Sequence, residues 1–346
     1  MPTVAADELE RMTAAILAGA GAPADEAAIV AQALVAANLA GHDSHGVLRL
    51  PQYLAAMESG GVVPGAPTEA VSETPTTAVL DAHWGFGQVA AARAAEIAIA
   101  KAQANSLAAV AVRRATHVGR LADWVELIAE QEMVGVMFVN GHGGAHNTVP
   151  WGGADARLCT NPLACALPTG GEPIVLDIST SAVAEGKVRT YRIAGRPVPD
   201  GWIVDSEGRP SNDPAVLYGK PPGAILPLGG NVGYKGFALS LMVDLLAGAL
   251  SGAGCSRPDA PRGGNAFLIM AIDPRAFGDE GEFATHADAL LAWVKSARLA
   301  PGVEEIVAPG EIERRETLRR GREGIPIDDE TWGRLLDAAH RYHAAR

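Results

Sequence analysis

The feature that most constrains this chain of 346 residues is a change of rhythm partway along it. Its first sixty residues offer only helical periodicity. Residues 7–17 form a short amphipathic stretch, and 24–40 carry Ile29, Val30, Ala33, Leu34 and Ala37 at helical spacing. Residues 52–58 continue as helix until Gly60 and Gly61 stop it. The Pro/Thr-rich run 63–77 reads as loop or edge strand, 78–80 as a short strand, and an Ala-rich helix follows to about residue 103. Strands and helices then alternate. Strands are expected at 107–112, 134–139, 163–167, 173–178 and 266–272, and helices at 121–132, 180–192, 234–250 and 283–298. Charged helices return at about 311–322 and 328–343. An α/β fold follows, with a sheet domain over 114–296 inserted into a mostly helical domain built from both chain ends, 1–113 and 297–346. The Pro/Gly-rich run 195–230 is too long for an idle connection. The almost wholly apolar helix 234–250 is expected to be buried.

The dinucleotide fingerprint is tempting and incomplete. Gly85-x-Gly87-x-x-Ala90 follows a short strand, but a Rossmann unit needs an acidic residue about twenty positions on to hold the ribose. The next strand ends instead in Arg113-Arg114, which would suit a 2′-phosphate only. Composition narrows the partners. A net charge of -12 and a pI near 5.2 imply no polyanion partner such as nucleic acid. The longest apolar run, 237–250, is broken by Asp244 and is too short to cross a bilayer. The first residues lack the basic and apolar regions of a signal peptide, and Cys159, Cys165 and Cys255 form no close pair. The expectation is a cytoplasmic protein with neither membrane nor nucleic-acid partner.

Five local constellations carry chemistry. Residues 41–53 gather His42, Asp43, Ser44, His45, Arg49 and Tyr53 between a helix end at Gly41 and a helix start at Pro51. Ser44 beside His45 suits a hydroxyl–imidazole proton relay, and the Arg49 fork suits a carboxylate. The same residues would also serve as a plain turn, with Asp and Ser capping the second helix. Thr116-His117-Val118-Gly119 lies beyond the carboxyl end of a strand, where α/β proteins place ligand chemistry. Thr160-Asn161-Pro162 offers amides to a flat polar ring such as nicotinamide. Asp177-Ile178-Ser179, leading into Gly186-Lys187, places an acid at a strand end and hydroxyls at a helix start, suited to ribose and phosphate or to simple capping. Lys235, in Gly233-Tyr234-Lys235-Gly236, adds a charge to a helix N-terminus, which an anion would explain. His142 and His146 fall in the Gly-rich loop 140–153 rather than on a helix face, and no HExxH or CxxC occurs, so no metal is expected.

Taken in order, His42 to Gly46, Arg49-Leu50-Pro51-x-Tyr53, Thr116 to Gly119, Thr160 to Pro162, Asp177 to Ser181, Gly233 to Gly236 and Pro309-Gly310-Glu311 closely resemble the type-2 malate/L-lactate dehydrogenase family. That family also holds ureidoglycolate and sulfolactate dehydrogenases, diketogulonate reductase and the piperideine/pyrroline-2-carboxylate reductases. The resemblance runs from about residue 8 to 340. It implies an NAD(P)-binding domain that is not Rossmann, and a homodimer with the active site between domains and near the interface. Carried over by position, His117 matches a general acid/base, Ser44 and His45 a proton relay, and Arg49 and Tyr53 the holders of a substrate carboxylate. His117, Val118, Gly119, Arg120, Leu121, Thr160, Asn161, Asp177, Ile178, Ser179, Lys187, Lys235, Pro309, Gly310 and Glu311 match nucleotide contacts. Ala308 and Glu313, where relatives often carry other residues and arginine, depart from the pattern. The implied reaction interconverts a small 2-hydroxy acid and its 2-keto acid with NAD or NADP. The alternatives are reduction of a cyclic imino acid by the same residues, a metal-dependent lyase or hydrolase built on the histidines, and a small-acid binder without turnover.

Overall fold

The structure, a computed structural model, describes residues 1–143, 146–259 and 262–344. In chain order it contains β1 (Thr3–Val4), α1 (Ala6–Gly19), α2 (Ala24–Leu39), α3 (Leu50–Glu58), β2 (Glu69–Glu73), β3 (Thr77–Asp81), α4 (Gly87–Asn105), β4 (Leu107–Ala115) and α5 (Ala122–Ala129). There follow β5 (Val134–His142), β6 (Leu163–Leu167), β7 (Ile174–Ile178), α6 (Glu185–Ile193), β8 (Ile203–Val204), β9 (Pro210–Ser211), β10 (Ala224–Ile225) and α7 (Tyr234–Asp244). The last elements are β11 (Gly264–Ile272), α8 (Glu282–Lys295), α9 (Glu311–Glu323), β12 (Ile325–Pro326) and α10 (Asp329–Arg341).

Seven strands form the main sheet, in the order β2-β3-β4-β11-β5-β6-β7. Within it only β3 and β4 run parallel; every other described pairing is antiparallel. A Rossmann sheet is parallel throughout, so this one is a different fold. The central strand, β11, arrives late in the chain and lies between β4 and β5. Its stretch from Ala266 to Ile269 is wholly buried, as a strand covered on both faces requires. Helix α4 presents Ala90, Ala91, Ala94, Ala95, Ala98 and Ala102 to the core of this sheet. Methyl side chains let the helix axis approach closely, and this explains the alanine enrichment.

The helical layer is drawn from both chain ends. Leu9, Ile16, Val30, Leu34, Leu50 and Tyr53 share one core with Ile325, Ile327 and Leu335. β1 pairs with β12 to close it. The expected boundary at residue 113 falls inside β4; β2 and β3 pair within the sheet, and α4 packs on the sheet while its Val89 also touches the helical core. Pairing within the sheet outweighs the helical character of the residues that precede it.

Three further expectations need correction. The helix expected at 180–192 begins only at Glu185. Thr180 and Ser181 instead donate their hydroxyls to the carbonyls of Thr160 and Val183, so they brace an extended segment and do not start a helix. His142 ends β5 and is buried, outside the loop that was to hold it; of that loop, Gly144 and Ala145 lie outside the described residues. Helix α7, prolonged by a π turn over Leu245–Ala249, exposes Tyr234, Leu241, Met242 and Leu245. The buried side carries Ser240, Val243 and Asp244. Polar groups win that face because they tie the helix to Asn140 and Asn161.

Candidate active site

The turn between α2 and α3 is locked from three directions. Asn38, at the end of α2, accepts from Val47 N at 2.9 Å and donates Nδ2 to Asp43 at 2.6 Å. Arg320 of α9 donates Nη1 to Asn38 O (2.8 Å) and to Asp43 Oδ1 (2.6 Å). A Cβ on Gly46 would stand 2.2 Å from Asn38 Oδ1, so only glycine allows this closure. The turn therefore holds Ser44, His45 and Arg49 in fixed places. Ser44 Oγ lies 3.1 Å from His45 Nδ1, and Arg49 Nε donates to Ser44 O at 2.7 Å.

His117 comes from the other layer. It follows β4, and α4 begins directly against it: a Cβ on Gly87 would sit 2.3 Å from Thr116 O and 2.5 Å from His117 O. The Gly-x-Gly that mimics a nucleotide fingerprint is thus a packing device that lets α4 begin against the histidine. His117 stacks on His45 with ring centroids 5.5 Å apart and planes 23° from parallel. Tyr53 Oη and His117 Nδ1 share a hydrogen bond of 2.7 Å, and Gln88 Nε2 donates to the same phenol at 2.8 Å. Burial, reinforced by the charges of His45 and Arg49, holds the His117 pKa well below the ordinary imidazole value. Burial first, then Arg49 and His42, pull His45 down to about 4. The Tyr53 phenol is pushed up to about 12 by burial. The centre is therefore two neutral imidazoles facing one guanidinium.

Around them runs a continuous trough of three cavities. The first, about 400 Å³, is lined by His45, Tyr53, His117, Thr160 and Asn161. A second of about 360 Å³ shares His45, Gly119, Leu121, Thr160 and Pro162 with it and extends past Arg120, Asp177, Ile178, Ser179 and Lys187. The third, about 270 Å³, continues from His42, Arg120, Asp177 and Ile178 to Val307, Pro309, Gly310 and Glu313. Val118 borders the first cavity, and its N–H donates to Asn265 Oδ1 at 3.2 Å.

Most of the site residues expected from sequence thus converge. Three line none of these cavities or turn their charge elsewhere. Arg49 lies beside the turn, with Nε on Ser44 O and Nη1 on Gln52 Oε1, and lines none of them. Lys235 is exposed at the start of α7 and lines none of these cavities. Glu311 turns its carboxylate to Lys295 and to the Ala308 N–H, bracing the start of α9, while its neighbours Pro309, Gly310 and Glu313 line the trough. Asp177 lines the trough but also accepts from Ala122 N at 2.9 Å, capping α5. The arginines that were to meet a 2′-phosphate are engaged elsewhere: Arg113 and Arg114 pair with Asp81, and Arg120 with Asp123 and Glu126. Gln88, Asn265 and Asp244 escaped sequence reasoning. A polar residue inside an alanine helix was the one signal for Gln88. Among the described residues no group of three His, Cys, Asp or Glu side chains is placed to hold a metal ion, and no helix is long and apolar enough to cross a membrane.

A pyridine nucleotide suits these walls. Asn161 is fully buried, its Nδ2 donates to Ser240 and Asp244, and its Oδ1 has no partner among the described residues. An unpaired buried acceptor is costly, and a carboxamide N–H would satisfy it.

The family model for malate/L-lactate dehydrogenases matches residues 4–336, and the chain belongs to that family of oxidoreductases acting on the CH–OH of hydroxy acids. It is 37% identical over 304 residues to an L-lactate dehydrogenase of Cupriavidus necator, covering 86% of each chain. The solved sulfolactate dehydrogenase of Methanocaldococcus jannaschii superposes with a TM-score of 0.89 at 33% identity, over 99% of this chain and 98% of that one. A delta1-piperideine-2-carboxylate reductase from Pseudomonas syringae pv. tomato gives 0.84 at 33% identity, over 98% and 100%.

Proposed function

We propose that this protein is an NAD-dependent dehydrogenase of a small 2-hydroxy acid, with His117 as the group that exchanges the hydroxyl proton. The observation that carries this reading is the stacked His45–His117 pair, with His117 bonded to Tyr53 and Arg49 held on Ser44 O beside it, at one end of the trough. Arg49 pairs with the substrate carboxylate, and Tyr53 borders it. His117, neutral by burial, accepts the hydroxyl proton at Nε2 while Nδ1 stays bonded to Tyr53 and Gln88 steadies the phenol. His45 and Ser44 relay the proton onward. The bound pyridine nucleotide supplies the hydride acceptor. Thr160 and Asn161 would hold its nicotinamide, residues 118–121 with Ile178, Ser179 and Lys187 its centre, and Asp177, Pro309 and Gly310 its adenosine end.

NAD is preferred over NADP on electrostatic grounds. Asp177 and Glu313 both line the far cavity, and Arg120 is already committed to two carboxylates. A 2′-phosphate there would meet like charge with no unpaired arginine to offset it. The reading also carries a cytoplasmic location, on the cysteine usage argued above, and a homodimer, supported by the outward apolar faces of α7 and α8. The helical layer would then supply the substrate groups and the sheet layer the nucleotide groups. A panel of 2-keto acids and cyclic imino acids, each offered with NADH and NADPH and followed by nicotinamide absorbance, tests all of it. Faster turnover of a 2-keto acid with NADH is expected. Preference for an imino acid, or for NADPH, overturns the corresponding part.

A further inference from the structure

Next to the first cavity, and sharing only His142 with it, lies a cavity of about 350 Å³ lined by Trp84, Arg113, Arg114, His142, Arg257 and Arg262. Four guanidiniums meet there, and the acids facing them are few. Asp81 is buried and accepts from Arg113 and Arg114. Asp259 stands 3.8 Å from Arg257, too far for a hydrogen bond. Arg262 lies 4.1 Å above the Trp84 ring, with Nη2 donating to the carbonyls of Gly60 and Gly61. These bonds hold Arg113, Arg114 and Arg262 in place, and N–H groups of Arg113, Arg257 and Arg262 have no partners among the described residues. His142, 8% exposed, lines this cavity and the reaction cavity alike, and its Nε2 is buried with no partner among the described residues. Like charges gathered at one cavity repel, and the buried Asp81 with the looser Asp259 contact offsets only part of that repulsion.

We propose that this four-arginine cavity binds an anionic group of carboxylate, sulfonate or phosphate type. It adjoins the reaction cavity through His142, and Gly61, whose carbonyl Arg262 holds, borders the latter. The group is therefore either the distal acid of a substrate with two acidic ends, which rests on the function proposed above, or a free anion, which does not. Planar guanidiniums suit any of these oxyanions through paired N–H donors.

Two arms test this, with Arg257→Gln as the variant because Arg257 makes no hydrogen bond within the described chain. In the first, melting of the wild-type protein and the variant is followed with malonate, sulfate or phosphate against chloride at equal ionic strength. A saturable rise in Tm for the wild type that the variant loses is expected. Equal responses, or none in the wild type, overturn the site. In the second, KM is measured for a 2-keto acid with a distal carboxylate and for one without. A rise of about tenfold or more for the diacid alone assigns the site to the substrate. Unchanged KM values together with lost stabilisation assign it to a free anion. Should no 2-keto acid be turned over, the function proposed above fails, while the melting arm still decides the anion site.

Discussion

At the scale of single residues, the centre depends on keeping two imidazoles neutral. His117 is expected to be the proton carrier, so His117→Gln should lower kcat by about 10² to 10⁴-fold while nucleotide binding, read by fluorescence titration, stays nearly intact. Unchanged turnover would remove His117 from the mechanism. His45 gives a pH signature. Its folded pKa of about 4 lies below the free imidazole value near 6.5. Between those values the unfolded chain binds a proton that the folded chain refuses, so stability is lost as pH falls through that window. Asp123, raised to about 7 by burial, acts with opposite sign over much of the same range. The contribution must therefore be read as a difference. The Tm advantage of the wild type over His45→Gln should shrink as pH drops from 6.5 toward 4, and an advantage independent of pH would contradict it.

At the scale of elements, the site is made where a helix start and a strand end touch. Gly87 has no room for a Cβ against Thr116 and His117 carbonyls. Gly87→Ala should cost about 1 to 3 kcal/mol of stability in denaturant melts and lower kcat by displacing His117. Wild-type activity in a stable Gly87→Ala protein would show that the close approach does not position the histidine. The turn bearing Ser44 and His45 was legible from sequence because its chemistry is contiguous. Gln88 was not, since its partner Tyr53 lies thirty-five positions away and nothing local hints at the pairing. Lys235 and Glu311 lie apart from the trough for the converse reason. Each has suitable chemistry in its own motif, yet the fold turns Lys235 outward and engages Glu311 with Lys295.

At the scale of the whole molecule, large apolar side chains remain outside. Trp293 is 77% and Leu290 59% exposed on α8, a helix with no buried residue, and α7 exposes Met242 and Leu245. In the homodimer proposed above, this area would form the interface. Trp293→Asp should shift the protein from dimer toward monomer in sedimentation velocity. A wild type that sediments as a monomer would sink the homodimer. The helical layer is itself held together by contacts far apart in sequence, such as Arg320 bonding Asn38 and Asp43, so α9 supports a turn near the amino end.

Periodicity and motif chemistry by themselves pointed to the α/β class and gathered the histidines and arginine of one turn, because each is written in neighbouring residues, while the non-Rossmann expectation came from the family resemblance. Only the tertiary structure decided that β11 threads between β4 and β5, that β2 to β4 belong to the sheet, which face of α7 turns inward, and that Gln88 supports Tyr53. These depend on which distant surfaces bury one another, and burial is a property of the pair of surfaces that no local pattern carries.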